Sequence, residues 1–279
     1  MALHGILPCM PTPPLDADPA AAASPRAAHR VPRRPHAWIA FAVAAHLLVA
    51  AAWIAWGWRA GLPALVLVHL AFVAATLLPN AALLSPVLSR LDTDARACWL
   101  TIDDGPSDDT AALLDLLDAH RAKATFFLVG ARAAARPELV RAIAARGHGI
   151  GNHSQHHPQA VFWALGPTRI RREVLDCQRT LAAITGTAPR WFRAVVGHAN
   201  PFLAAPLRAA GLARVGWTAR GYDAVRDDVE AVAARICDGL SPGAIVLLHE
   251  GAAHGRSVAM VAAVLARMED AGYRAVVPE

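Results

Sequence analysis

The sequence predicts a parallel α/β fold of about seven strands, closed or nearly closed into a βα barrel and preceded by an apolar helical hairpin. Three observations predict it. From residue 98 onward, short apolar runs alternate with amphipathic helical stretches at regular spacing, as βα units do. Polar residues follow nearly every run, which suits a barrel whose side chains converge at one rim better than an open doubly wound sheet. Residues 37–78 are apolar and carry a single charge, Arg59.

A chain of 279 residues has room for one large domain, or for a membrane segment and one medium domain. Its net charge of +5 comes from scattered arginines, with Lys123 the only lysine. There is no basic stripe interleaved with aromatics, so nucleic acid is not an expected partner. Cys9, Cys98, Cys177 and Cys237 are widely separated and form no C-x-x-C pair, which argues against a zinc ribbon or a disulfide framework. Nothing in the sequence sets an oligomeric state.

Residues 1–36 are rich in Pro, Ala and Arg without periodicity and are expected to be a disordered tail. Residues 37–56 carry no charge and are long enough for a transmembrane helix, with Trp38 near one end and Trp53, Trp56 and Trp58 at the other, as interfacial belts are. After a break over 57–61, a second apolar run gives a second helix over about 62–80. A cleaved signal peptide is the rival for the first run, but the leader is long and a second apolar segment follows. The expected organisation is a tail (1–36), a two-helix membrane region (37–82), a linker (83–96) and one domain (97–279), with membrane lipids as partners. His46 and His69, inside the two runs, are expected as neutral residues facing a partner helix.

In the domain, strands are expected at 99–102, 124–129, 149–152, 191–194, 214–218, 245–248 and 274–277. The helices between them are expected at 108–120, 137–146, 167–185, 201–210, 228–239 and 257–271. In the first helix Leu113, Leu116 and Leu117 give one apolar face.

The chemistry centres on Thr101-Ile102-Asp103-Asp104-Gly105-Pro106, where an apolar strand ends in two carboxylates. Neighbouring side chains of a regular strand point to opposite faces, so two aspartates acting together are expected just past the strand end, where Gly-Pro bends the chain. A second cluster is His153-Ser154-Gln155-His156-His157. His153 and His157 stand at i, i+4, on one side of a helical turn or tight loop. Two imidazoles and a carboxylate form a set that leaves metal positions open for water and substrate. Arg193, at the end of a strand, is suited to fix a carboxylate by charge-assisted hydrogen bonds. Trp217 to Asp223 and Leu247-Leu248-His249 complete the polar residues that follow strands.

The region from about 97 to 279 resembles the polysaccharide deacetylases, carbohydrate esterase family four (the NodB-homology domain). The resemblance rests on T-I-D-D-G-P at 101–106, on H-S-x-x-H at 153–157, on Trp217 with Asp223, on L-L-H at 247–249, and on the A-T-F-F stretch at 124–127. It implies a distorted, incomplete (β/α) barrel and a divalent metal, usually Zn2+. It further implies that Asp104, His153 and His157 bind the metal, that Asp103 is the general base held by Arg193, and that His249 is the general acid partnered by Asp223. The Val196 N–H would contact the oxyanion, and Trp217 would lie in the substrate groove. One motif departs: the family's R-x-P-[YF]-G reads Arg193-Ala194-Val195-Val196-Gly197, and Ala224 stands where a tryptophan is usual, which puts substrate preference in question.

The implied activity is removal of N-acetyl, or O-acetyl, groups from an amino-sugar glycan or a lipid-linked sugar. The alternatives are a deformylase or other deacylase of a lipid-linked sugar, and a catalytically weak glycan-binding protein of the same fold. Arg26, Arg30, Arg33 and Arg34 precede the first apolar run, Arg59 alone occupies the loop, and Arg90 and Arg96 follow the second. Positive residues favour the cytoplasm, so the expected location is a bacterial-type cytoplasmic membrane with the catalytic domain on its inner face. If only one run spans, that domain is exported.

Overall fold

A computed structural model describes residues 27–278. The tail before residue 27, with Cys9, lies outside the described residues. Helices α1 (Ala37–Trp56) and α2 (Trp58–Leu77) fold back on one another at Gly57. That residue has φ of 71°, a conformation open to glycine at little cost. The break is one residue, shorter than the expected 57–61, and α2 ends at Leu77 rather than near 80. Gly61 lies inside α2, and the Trp53 ring packs where a side chain at that position would be. Ring contacts between His46 and His69 (centroids 5.5 Å apart) and between Phe41 and Phe72 (5.7 Å) set the antiparallel register. Both histidines donate Nδ1–H to the carbonyl one turn earlier, at 2.8 and 2.9 Å. The outer surface of the pair is bare: Leu47, Leu48, Ile54, Leu67 and Leu70 are all exposed.

The remaining strands are β1 (Val87–Leu88), β2 (Ala97–Gly105), β3 (Ala124–Leu128), β4 (Gly149–Asn152), β5 (Trp191–Phe192), β6 (Ala213–Val215), β7 (Ala219–Arg220), β8 (Ile245–His249) and β9 (Arg274–Ala275). The helices of the domain are α3 (Thr110–Ala119), α4 (Gly130–Ala135), α5 (Pro137–Ala145), α6 (Pro167–Thr185), α7 (Ala204–Ala209), α8 (Val229–Asp238) and α9 (Ser257–Asp270). The strands pair in parallel in the order β1-β6-β5-β4-β3-β2-β8-β7, with β9 beside the start of β2. Strand β6 stands next to one edge and β7 is the other edge, yet only residues 216–218 join them. Such a short connection spans at most about 14 Å, so the sheet must curl until its edges nearly meet. This is the expected distorted, incomplete barrel, with nine strands among the described residues where about seven were expected.

Two of the differences have local causes. The run expected as one strand over 214–218 splits because Asn80, just after α2, takes the Trp217 backbone: its Nδ2 donates to the Trp217 carbonyl (2.8 Å) and its Oδ1 accepts the Trp217 N–H (3.3 Å). The segment 83–96, expected as a linker, contributes β1 and buries Leu84, Leu88 and Leu91, so it belongs to the domain's packing. In α3 the buried face is Leu113, Leu114 and Leu117, with Leu116 half-buried.

One core lies between sheet and helices, and a second fills the barrel with Trp99, Phe127, Trp191 and Trp217. Buried Cys98 and Cys177 belong to the first, and burial pushes both thiols up to about 12. The hairpin is fastened to the domain. The Thr76 carbonyl accepts the Ala199 N–H at 2.8 Å, Pro79 packs on Gly197, and Trp38 meets Phe202 edge-on at 5.7 Å.

Candidate active site

Strand β2 does not stop before its aspartates. It runs to Gly105, and the register against β3 slips between Asp103 and Gly105. Asp104, with φ of 72°, is the bulged residue. A bulge re-aims a side chain, so both carboxylates reach one cleft from within the strand rather than past its end. The cleft has a volume of about 350 Å³ and is lined by Asp103, Asp104, His153, His157, Asp223 and His249, with Val196 and Trp217 at its sides.

Arg193 is wholly buried behind Asp103. Its Nη1 donates to Asp103 Oδ1 at 2.8 Å and to Thr101 Oγ1 at 2.6 Å, its Nη2 donates to the Gly216 carbonyl at 3.0 Å, and the guanidinium lies 4.3 Å from the Phe127 ring centroid. One oxygen of Asp103 is thereby fixed, while Oδ2 stands 3.7 Å from His153 Nε2.

His153 and His157 sit in a tight loop after β4, not on a helical turn. Ser154 and His157 have φ of 69° and 53°, the Ser154 N–H donates to Asn152 Oδ1, and the His157 N–H donates to Ser154 Oγ. His153 Nδ1–H donates to the Arg193 carbonyl at 2.9 Å, so Nε2 turns its lone pair inward. That Nε2 lies 3.4 Å from Asp104 Oδ1, and His157 Nε2 lies 2.9 Å from the same oxygen. The ligand atoms of Asp104, His153 and His157 all fall within 4.8 Å of one another, and among the described residues buried Asp104 Oδ1 receives no well-directed hydrogen bond. Three acceptors converging on one point fit a divalent cation. Burial alone would raise the Asp104 pKa, but the two imidazoles hold it well below the usual carboxylate range. Burial alone would lower that of His153, but Asp103 and Asp104 outweigh it and raise it. A cation taken up here displaces protons. His156 is outside the cluster, held by Glu173 at 3.0 Å.

On the far wall, Asp223 accepts the His249 backbone N–H on Oδ2 (2.6 Å) and the Nδ1–H on Oδ1 (3.1 Å), which leaves Nε2 free. Burial disfavours a charged imidazole, but Asp223 outweighs it, aided by Asp103 and Asp104, and raises the His249 pKa to about 9. The imidazole is therefore cationic at neutral pH.

Val196 lies in a 3-10 turn at φ 48°, ψ 19°, half exposed, and among the described residues no backbone carbonyl accepts its N–H. A β-branched residue there is strained, and such strain concentrates at functional sites.

A family model described as polysaccharide deacetylase matches residues 90–215. A chitooligosaccharide deacetylase of Bradyrhizobium is 38% identical over 158 residues, which is 56% of this chain and 71% of that one. The chain belongs to the polysaccharide deacetylase family. It is also similar to a peptidoglycan-N-acetylglucosamine deacetylase of Bacillus cereus, 35% identical over 64% of this chain and 68% of the relative. Among solved structures, a family 4 carbohydrate esterase from Streptomyces lividans in complex with acetate superposes with a TM-score of 0.59 at 30% identity, covering 66% of this chain and 98% of that one. As a polysaccharide deacetylase the chain is a hydrolase.

Other residues of this deacetylase line the cleft or brace it from behind without having been singled out in the sequence. Glu250 is 1% exposed and ties the loops after β2 and β8 together: Ser107 Oγ donates to its Oε2 at 2.8 Å, as does Thr110 Oγ1. Burial raises its pKa. Its one sequence signal was a carboxylate directly after L-L-H. His254 Nε2–H donates to the Asp223 carbonyl at 2.6 Å, a long-range contact without any motif. Arg220 packs on Tyr222 at 3.8 Å beside Trp217.

Proposed function

We propose that the chain is a membrane-anchored, metal-dependent deacetylase of N-acetylated amino sugars. The observation that carries this reading is the convergence of Asp104, His153 and His157 beside two separately held acid–base groups, Asp103 on Arg193 and His249 on Asp223. A divalent ion on the three ligands, with Zn2+ favoured by the donor set, would acidify water and polarise the substrate carbonyl. Asp103 takes the proton of the attacking water while Arg193 holds the carboxylate in place. The C–O bond forms, and the Val196 N–H faces the oxygen on which charge develops, a contact whose loss typically costs about 10²–10³ in rate. His249 then gives its proton to the departing nitrogen, the C–N bond breaks, and acetate and an amine leave. Trp217 forms the wall against the sugar.

In this reading α1 and α2 span a bacterial-type cytoplasmic membrane, and residues 83–278 act as one catalytic unit. The hairpin's fastening at Thr76, Pro79 and Asn80 to loops of the cleft favours a substrate presented at the bilayer, such as a lipid-linked amino sugar. The named relatives act on chitooligosaccharide and peptidoglycan, so soluble N-acetylglucosamine oligomers are the comparison. Membranes containing the protein are incubated with both substrate classes, and acetate and formate release are scored. Acetate is expected from amino sugars, faster from the lipid-linked form. Formate alone assigns a deformylase, and neither product leaves only a glycan-binding role.

A further inference from the structure

A second cavity, of about 970 Å³, lies at the foot of the hairpin, where the chain enters α1 and leaves α2. Arg30, Arg33 and Arg34 line it from the segment before α1, and Arg208 from α7, with no carboxylate among the described residues of its wall. Arg208 Nη1 donates to the Arg33 carbonyl at 2.6 Å, which holds that segment in place. Ser85 lines the same cavity at 3% exposure, and its Oγ has no hydrogen-bond partner among the described residues. The Trp38 Nε1 is likewise buried and unpartnered. Behind them, Arg214 is 2% exposed and donates Nη2 to the Ser85 carbonyl at 2.9 Å, adding a buried positive charge.

Buried donors are normally satisfied, and buried charges are normally paired. Two unmet donors among four arginines therefore call for a ligand with negative charge and several acceptor oxygens. A phosphoryl group matches, because arginine and hydroxyl donors can share its oxygens. The neighbouring wall is apolar: Trp38 lies in the first turn of α1, and Leu83 and Leu84 follow α2. If the hairpin spans a bilayer, this wall sits at the headgroup level, where basic pockets attract anionic lipids.

We propose that this cavity binds the phosphoryl group of a lipid in the membrane, an inference that rests on the membrane placement of the hairpin. Two sources share that chemistry: the headgroup of an anionic phospholipid, and the phosphate of a polyprenyl carrier. The full chain in dodecyl maltoside micelles is titrated calorimetrically with dihexanoyl phosphatidylglycerol, farnesyl phosphate, inorganic phosphate and dihexanoyl phosphatidylcholine. At least one of the first two is expected to bind at least ~10-fold more tightly than the last two. The Arg33→Gln, Arg34→Gln double variant and, separately, Ser85→Ala are each expected to weaken that binding about tenfold, as loss of a charge-assisted hydrogen bond does, with unchanged Tm. Preference for phosphatidylglycerol assigns a bulk lipid, and preference for farnesyl phosphate assigns a carrier. Equal binding by the variants, equal binding of inorganic phosphate, or no binding overturns the proposal. Release of the chain from membranes by alkaline carbonate refutes the hairpin placement separately, and the binding readout does not depend on turnover.

Discussion

Replacing Asp223 with Asn tests how the cleft keeps an imidazole protonated. Asp223 supplies the charge and the Nδ1 acceptor that outweigh burial and lift the His249 pKa from 6.5 to about 9. A shift of that size corresponds to about 3 kcal/mol. At pH ~7.5 nearly all of His249 then carries its proton, whereas at the ordinary value only about one-tenth does. A divalent ion beside Asp104 offsets that carboxylate's share, so the loaded enzyme titrates somewhat below the metal-free value. The variant's alkaline limb, in a pH profile of acetate release from N-acetylglucosamine oligomers, should therefore move towards acid by one to two pH units or more. The same pair bears on stability. Because the folded-state pKa is raised, the stabilisation is complete below pH ~6.5 and disappears as pH rises through about 9. Metal-free wild type should lose Tm across that window, and Asp223→Asn should lose much less. An alkaline limb that stays in place would refute the assignment of His249 as the acid.

Three further outcomes are expected. Asp103→Asn should keep its metal and lose turnover by roughly 10²–10⁴, while His153→Ala and His157→Ala should lose the metal itself; elemental analysis beside acetate release separates the two classes. Asn80→Ala removes both hydrogen bonds to the Trp217 backbone and should lower the unfolding free energy by about 1–3 kcal/mol. By loosening the cleft wall it should also raise KM more than it lowers kcat, and an unchanged KM would leave Asn80 a structural tie alone. Alkaline phosphatase fused after Glu279 should be silent and a cytoplasmic reporter active, since the arginines flank the outer ends of the hairpin; the reverse pattern places the domain outside.

Much of this architecture was legible because it is written in local pattern. The βα alternation gave the parallel barrel, and uninterrupted apolar runs gave α1 and α2. The residues the sequence singled out, Asp103, Asp104, His153, His157, Asp223 and His249, do meet in one cleft, because each follows or ends a parallel strand on the same rim. What could not be read depends on distant partners. The bulge at Asp104 is a matter of register between β2 and β3, invisible in a single strand's composition. The splitting of 214–218 depends on Asn80, 137 residues away in the chain. Glu250 and His254 lack periodicity and motif, and their roles exist only through Ser107, Thr110 and Asp223.

The hairpin and the cleft are coupled more closely than a tail anchor would need. Within five residues, Thr76, Pro79 and Asn80 hold the backbone of Ala199, the face of Gly197 and both polar groups of Trp217. Gly197 follows Val196, whose turn is strained, so the end of α2 braces together the two residues proposed to form the oxyanion contact and the sugar wall. A domain tethered by a free linker samples orientations, whereas these contacts fix the cleft relative to the helix axis. In the proposed membrane placement, a cleft held at a fixed height would disfavour a polymer that extends away from the bilayer and favour a sugar delivered at a set depth. The same bracing makes the cleft depend on the end of α2: a chain that begins after Asn80 loses the contacts that shape two of its walls.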